Sequence, residues 1–347
     1  GNVMYGIELG VLYRGERELC FLPLAHAYSC AFNFLVPMAV GAHVYLLGKV
    51  PSPKILLKAF EEVKPNLILT VPLILEKIYK KMILPQLSKT TMKVALNIPL
   101  LDSRIYAQIR KKLVDAFGGR FREVIVGGAA MNEEVTNFLY KIKFPFTIGY
   151  GMTECGPLIS YDHNDEYVPG SCGQILKGIM KVRIDSEDPY NKVGEIQVSG
   201  ENVMKGYYKN EEATSKVFTE DGWLRTGDLG TIDADNRIYI RGRSKTMILG
   251  ASGQNIYPEE IESKLNNLPF VMESIIIEKN GKLVGLVYPV DSTGISHEDL
   301  PIIMEQNRIE LNKLLAPYEA VSALQLYPTE FEKTPKKSIK RYLYSNY

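Results

Sequence analysis

Tyr150-Gly151-Met152-Thr153-Glu154 sets, side by side, a flat ring, a residue without a side chain, a hydroxyl and a carboxylate, directly after an apolar run ending at Ile148. Glycine lets a ligand approach the backbone, Tyr150 offers a face for a base, Thr153 a hydroxyl for a phosphate oxygen, and Glu154 a hard oxygen for Mg²⁺. The competing reading is a plain strand-to-turn junction with a surface glutamate. A second glycine turn, Gly127-Gly128-Ala129-Ala130, follows the apolar Arg122 to Val126. His26 sits among apolar neighbours, where a histidine either touches substrate or is an internally satisfied residue.

These segments need a sheet to carry them. Apolar runs at Leu19 to Leu22, His43 to Leu47, Asn66 to Val71, Arg122 to Val126 and Phe146 to Tyr150 predict strands. Between them Lys54 to Val63, Ser103 to Phe117 and Asn132 to Ile142 have helical patterning. The alternation predicts an α/β fold with a mainly parallel sheet covered by helices, whose ligand crevice lies outside the carboxyl ends of the strands. After about Leu158 short strands dominate, at Lys181 to Ile184, Glu195 to Val198 and Arg237 to Ile240, and predict a small β-rich, barrel-like unit. Beyond Lys245 the pattern is mixed again, with helices at Pro258 to Asn266 and Glu298 to Leu315 and strands at Ser274 to Glu278, Leu283 to Val287 and Ser322 to Tyr327. The expected division is 1–157 for the α/β part of a large domain, 158–244 for the β-rich part, and 245–347 for a small α+β domain.

Composition narrows the function. The chain has 347 residues, 46% hydrophobic, with 41 basic and 40 acidic residues and a net charge of +1. That suffices for several cores and argues against nucleic acid as a partner. The four cysteines, at positions 20, 30, 155 and 172, form no C-x-x-C pair, and the four histidines never fall at a metal-ligand spacing. A reducing, cytoplasmic setting without structural zinc is expected. No Asp, Glu, Lys or Arg occurs between Glu18 and Lys49, but Pro23, Pro37, Gly41 and Gly48 divide that stretch, so a buried β-α-β unit is expected rather than a membrane span. The chain opens with Gly1 and not Met, which suggests a longer gene product.

Tyr150 to Glu154, followed by Gly156-Pro157, resembles the Y-G-M-T-E signature of the adenylate-forming superfamily. The likeness continues in family order. Pro23-Leu24-Ala25-His26 resembles the P-L-x-H segment, Gly127 to Ala130 the glycine turn beside adenine and acyl chain, and Gly194-Glu195-Ile196, Gly206-Tyr207-Tyr208 and Thr214 the β-rich positions. Trp223-Leu224-Arg225-Thr226-Gly227-Asp228 resembles W-x-x-T-G-D, and Gly242-Arg243-Ser244-Lys245 resembles G-R-x-[DK].

The resemblance implies ATP-dependent activation of a carboxylic acid to an acyl-adenylate, then transfer to coenzyme A with release of AMP, by an acid-thiol ligase using Mg²⁺. It implies a nucleotide site of Gly128, Ala129, Ala130, Tyr150, Gly151, Thr153, Asp228 and Arg243, with Asp228 on the ribose hydroxyls and Arg243 on phosphate or ribose oxygens. Thr153 and Glu154 would act catalytically, Glu154 holding the metal. His26, Ala27 and Gly128 would border the acyl group, Lys245 would be the hinge of a mobile C-terminal domain, and Gly253 would approach the coenzyme A side. The details look most like the long-chain fatty acyl branch. Transfer to a carrier-protein phosphopantetheine and a non-catalytic nucleotide-binding module are the alternatives.

Two departures stand out. Nothing like the glycine-rich phosphate loop Y-T-S-G-T-T-G-x-P-K-G precedes Pro23, so these residues alone are expected to be inactive or weakly active. Near the end Thr334-Pro335-Lys336-Lys337-Ser338-Ile339-Lys340-Arg341 has Ser338 where the family has its adenylation lysine. Lys337, Lys336 or Lys340 would then serve, unless the run is a solvated basic tail. Peripheral contact with the inner face of a membrane is open, although no basic amphipathic helix stands out in the sequence. Oligomeric state leaves no signal.

Overall fold

A computed structural model describes residues 1–49, 51–87, 89–99, 101–250, 253–290, 299–334, 338–344 and 347. Five strands, β1 (Arg17–Cys20), β2 (His43–Leu46), β3 (Leu67–Thr70), β4 (Glu123–Val126) and β5 (Phe146–Ile148), form one sheet in the order β2-β1-β3-β4-β5. All of its pairings are parallel. Every residue of β3, β4 and β5 is buried, as expected of strands covered on both faces. The sheet packs on Phe60 and Val63 of the helix Pro53–Val63, on Leu113 of Leu101–Ala116 and on Val135, Phe138 and Leu139 of Glu133–Lys141.

Local chemistry fixes the helix starts. Ser52 Oγ accepts from Ile55 N at 3.4 Å with Pro53 opening the helix, and Asn132 Oδ1 accepts from Val135 N at 3.2 Å. The uncharged stretch after Glu18 is the expected β-α-β unit, but with a difference. Its second strand, β2, lies at the sheet edge with His43, Tyr45 and Leu46 exposed, so lack of charge there does not mean burial. Its helical part contains a π-helical segment, Cys30–Leu35, and a second lies at Tyr79–Ile83. Each stops two residues short of a proline, Pro37 and Pro85. Proline removes a donor and crowds the preceding turn, and a wider turn relieves both effects.

Short strands β6 (Tyr150–Gly151) and β7 (Leu158–Ser160) pair antiparallel. The strand-rich region that follows is a four-stranded sheet of β8 (Met180–Asp185), β9 (Gly194–Gly200), β10 (Leu224–Ile232) and β11 (Ile238–Arg243), in the order β11-β10-β9-β8. Beyond it come the hairpin β12 (Ile248–Leu249) with β13 (Asn255–Ile256), and a sheet β14-β15-β16 (Val271–Lys279, Lys282–Pro289, Val321–Leu326). The helices Pro258–Leu265 and Asp299–Lys313 cover that sheet through Ile261, Leu265, Met304 and Leu311. By internal contacts the chain divides into residues 1–226 with 231–240, and residues 227–230 with 241–347. Each unit has its own apolar clusters.

A buried acid interrupts the core. Glu18 on β1 is wholly buried; Asn33 Nδ2, in the first π-helical segment, donates to its Oε1 at 2.7 Å, while its Oε2 has no partner. Burial, against the Asn33 bond, pushes this carboxyl up from 4.5 to about 8. Between those values the folded chain holds a proton that the unfolded chain has lost. The stabilisation is therefore complete below the unfolded value and is lost as pH rises through the folded one. Glu18→Gln keeps the acceptor without the ionisation, so its melting temperature should gain on that of wild type between about pH 5 and about pH 8. A difference that stays constant over that range, followed by circular dichroism, would contradict this.

Candidate functional site

Because β3, β4 and β5 run parallel, the turns after them emerge on one edge of the sheet. After β4 the chain makes the buried Gly127 and then exposes Gly128, Ala129 and Ala130 before the helix capped by Asn132. Gly128 has φ +89°, which glycine adopts without strain. Gly127 N donates to Thr70 O at 3.1 Å, and Glu76 Oε1 accepts from Asn132 N at 2.8 Å, so β3 and its following helix pin both ends of the turn.

The adjoining strand delivers Tyr150 to Glu154. Gly151 is dictated by space: a Cβ there would stand 2.2 Å from Pro157 O. Thr153 is exposed and Glu154 half-buried on a single 3₁₀ turn, Thr153–Cys155. Glu154 Oε1 accepts from Tyr207 Oη at 2.9 Å, and Glu154 O accepts from Met204 N at 2.8 Å. Burial, then the Glu154 carboxylate, raises the Tyr207 phenol above its ordinary value, so Tyr207 remains a donor. Burial also pushes the neighbouring Cys155 thiol up to about 12, which makes it a packing residue and not a nucleophile.

Tyr150 is 6% exposed and packs with Leu67, Leu69 and Ile125, so little of it remains accessible to a base. His26, in the turn after β1, is half-buried, and its Nε2 is enclosed without a hydrogen-bond partner. Ala27 begins the following helix, and Tyr28 ties it to β4 by donating to Ile125 O at 3.1 Å, with its ring 3.4 Å from where a Gly127 Cβ would be. The His26–Ala27, Gly128–Ala130 and Tyr150–Glu154 segments are thus brought to one edge. An enclosed imidazole nitrogen with no partner suits a polar ligand there.

Asp228 and Arg243 meet in the second unit. Asp228 is 5% exposed, and Arg243 Nε lies 3.0 Å from its Oδ1 while most of the Arg243 side chain faces solvent. Gly227 before it has φ +73°, and its carbonyl accepts from Ser244 N at 2.9 Å. Lys245 is exposed on the turn between β11 and β12. Gly253, φ +83°, is exposed in the β12–β13 hairpin with open space where a side chain would lie. Lys336 and Lys337 fall outside the described residues. Lys340 Nζ is 3.1 Å from Glu332 Oε2, and Ser338 O accepts from Thr334 N at 2.8 Å.

Among the described residues no three of His, Cys, Asp and Glu stand together as a metal cage. Glu154 with Thr153 fits Mg²⁺ as a partial ligand set, since that ion keeps waters and takes its other oxygens from substrate phosphates. Two supports escaped sequence reading. Asn2 is buried; its Nδ2 donates to Cys155 O at 2.9 Å and its Oδ1 accepts from Leu158 N at 3.1 Å, clamping the turn from far away in sequence. No local pattern marks such a residue. Tyr207 stood in a family-like G-Y-Y position, which was its only signal.

A family model described as AMP-binding enzyme matches residues 2–208, and the chain belongs to that family. It is 26% identical to the long-chain-fatty-acid–CoA ligase FadD15 of Mycobacterium bovis, over 95% of this chain and 60% of that protein. It is 28% identical to long-chain-fatty-acid–CoA ligase 1 of Saccharomyces cerevisiae, over 79% of this chain and 42% of that protein. Identity to the 4-coumarate–CoA ligase CCL1 of Humulus lupulus is 31%, over 83% and 50% of the two chains. The chain thus spans 42% to 60% of the length of these relatives. Among solved structures, ATP-bound MatB from Rhodopseudomonas palustris has a TM-score of 0.77 at 22% identity, covering 99% of this chain and 62% of that one. The O-succinylbenzoate coenzyme A synthetase MenE of Bacillus subtilis, with ATP and magnesium ion, has a TM-score of 0.72 at 22% identity, over 98% of this chain and 63% of that one. These likenesses show a shared fold.

Gly151→Ala should lower the melting temperature by the equivalent of about 1–3 kcal/mol, since backbone must move to admit the methyl. An unchanged melting curve would mean that the turn is looser than described.

Proposed function

We propose that this chain is part of an enzyme that activates a long-chain fatty acid with ATP and passes the acyl group to coenzyme A. The observation that carries the reading is the pairing of two exposed turns, Gly128–Ala130 and Gly151–Glu154, on neighbouring carboxyl ends of a parallel sheet, beside an enclosed His26 nitrogen without a partner. Support for the chain length comes from the names of the FadD15 and Saccharomyces cerevisiae relatives, while that of CCL1 points to an aromatic acid.

In this reading the substrate carboxylate oxygen bonds to the α-phosphorus of ATP, and pyrophosphate leaves with the electron pair of the broken P–O bond. The protein positions the reactants and meets developing charge with fixed donors. Gly128, Ala129 and Ala130 let the adenine and acyl group approach the backbone, and His26 and Ala27 border the carboxylate. Thr153 donates to a phosphate oxygen. Mg²⁺, held in part by Glu154, would supply positive charge to the phosphates, and Tyr207 keeps that carboxylate in place. Asp228 accepts from the ribose hydroxyls, and Arg243, already oriented on Asp228, is the cation for ribose or phosphate oxygens.

The domain limits proposed are 1–157, 158–244 and 245–347. Rotation about Lys245 would then bring the Gly253 side forward for attack of the coenzyme A thiol on the acyl carbonyl, with AMP leaving. Lys337 or Lys336 is the candidate for the adenylation lysine. Lys340 is a weaker one, because Glu332 already pairs with it. Residues 1–347 contain no glycine-rich phosphate loop, so we expect negligible pyrophosphate exchange from them alone. Ser338 in the lysine's usual place is what favours a non-catalytic nucleotide-binding module as the second reading.

Asp228→Asn should weaken AMP binding about tenfold or more by calorimetry, as expected on losing a charge-assisted pair. An unchanged Kd would remove Asp228 from the site. In a longer protein carrying this chain, mass spectrometry of thioesters formed from a panel of acids should show long-chain acyl-CoA. Products confined to aromatic or short acids, or acyl transfer to a carrier protein and not to coenzyme A, would overturn the substrate assignment. Alanine at Lys336, Lys337 and Lys340 in turn should slow adenylate formation at one position, and no effect at any of them would refute a lysine role here.

A further inference from the structure

The buried Glu18 carboxyl is one end of a longer hydrogen-bond chain. Asn33, whose Nδ2 donates to Glu18 Oε1 at 2.7 Å, and Ser29 are both wholly buried. Ser29 Oγ lies 2.9 Å from Asn33 Oδ1 and 3.2 Å from Leu22 O. Cys20 Sγ is 3.6 Å from the same carbonyl and 3.8 Å from Ser29 Oγ. Two side chains of the interior thus compete for Leu22 O. Beyond it Pro23, Leu24 and Ala25 are exposed, and His26 follows, its N donating to Pro23 O at 3.0 Å and its O accepting from Cys30 N at 2.8 Å. Leu22 O is therefore where the buried chain meets the turn that carries the enclosed, unpartnered His26 Nε2.

A hydroxyl has one hydrogen, so Ser29 donates to Asn33 Oδ1 or to Leu22 O and not to both. When it serves Asn33, the bonds all run one way, and the Cys20 thiol, a weak donor, is left to hold Leu22 O. An ionised Glu18 favours that arrangement, because a charged acceptor strengthens its own bond and polarises those behind it. A neutral Glu18 favours it less and releases the Ser29 hydroxyl to Leu22 O. Burial pushes this carboxyl up to about 8, so both states lie within reach of ordinary pH. The titratable groups that feel it are Cys20, on the same strand, and Tyr28, in the helix that begins at Ala27. Burial raises both above their ordinary values, so they stay neutral there. Among the described residues no cation pairs with Glu18. We propose that Glu18, Asn33 and Ser29 are positioning residues for the acyl side of the site, setting the turn from Leu22 to His26 through the Leu22 carbonyl. What His26 touches rests on the acid-activating reading, whereas the coupling of Glu18 to the turn does not.

The test follows the histidine rings of the isotope-labelled chain by NMR across pH, with His26 assigned from the resonance lost in His26→Gln. Beyond its own titration the His26 signal should show an inflection near pH 8, and Glu18→Gln should abolish it. Calorimetry with a stable acyl-adenylate analogue and with AMP then reads the site. Affinity for the acyl-bearing ligand should fall severalfold as pH rises through that value, while affinity for AMP stays constant. Glu18→Gln should keep the stronger affinity throughout, and Ser29→Ala the weaker. Cooperative melting establishes that the variants are folded. A His26 signal without the inflection, or an inflection that survives Glu18→Gln, overturns the proposal, as does an acyl affinity that is constant across it. Failure of both ligands to bind would defeat the acid-activating reading and with it the acyl role, and the spectra would still decide whether Glu18 sets the turn.

Discussion

Parallel pairing of β3, β4 and β5 is the constraint on which the candidate site depends. It obliges the turns after these strands to leave on the same edge, and the register of Val124 with Phe146 and Val126 with Ile148 fixes their relative height. Gly127 then lies against the Tyr28 ring, and Gly151 enters where a Cβ would collide with the Pro157 carbonyl. The sheet tolerates little slippage because its central strands are covered on both faces. Polar residues reach its edge only through turns held by distant partners, Asn2, Glu76 and Tyr207.

The polar groups inside this sheet divide by how they are satisfied. Glu123, also buried, accepts from Tyr161 Oη at 2.5 Å and from Asn164 N at 2.8 Å. Despite the upward push of burial, its bonds to His163, Tyr161 and Asn164 hold its carboxyl below the ordinary value. Glu18 has one such bond and goes the other way. At Glu123 the hydrogen bonds together with the neighbouring His163 outweigh burial, and at Glu18 burial outweighs a single bond. In the second unit Glu262 is intermediate: burial pushes it up to about 7 although Arg341 Nη1 lies 2.7 Å away.

The parallel sheet was legible in the sequence because its strands are short apolar runs bounded by glycine, and the helices at 53–63 and 133–141 because Ser52 and Asn132 announce them. That the turns after the strands share one sheet edge followed from that alternation alone. What was hidden is non-local. The edge position of β2 depends on sheet order, which no local pattern carries, and Asn2 acts on a turn more than a hundred residues away. The helices between Tyr79 and Leu96 have no clean periodicity, because Pro85 interrupts them and, among the described residues, only Tyr79 and Ile83 are buried. Glycine and acid positions suggested a nucleotide side only through their likeness to family motifs, whereas the basic run around Ser338 did not distinguish a catalytic lysine from a solvated tail.

Hydrogen exchange with and without a stable acyl-adenylate analogue would locate the ligand directly. Exchange should slow in residues 127–132 and 150–156, the two turns that share the sheet edge, together with the segment around Asp228. Protection absent from both turns, or confined to the opposite end of the sheet near Tyr161 and Lys177, would contradict it.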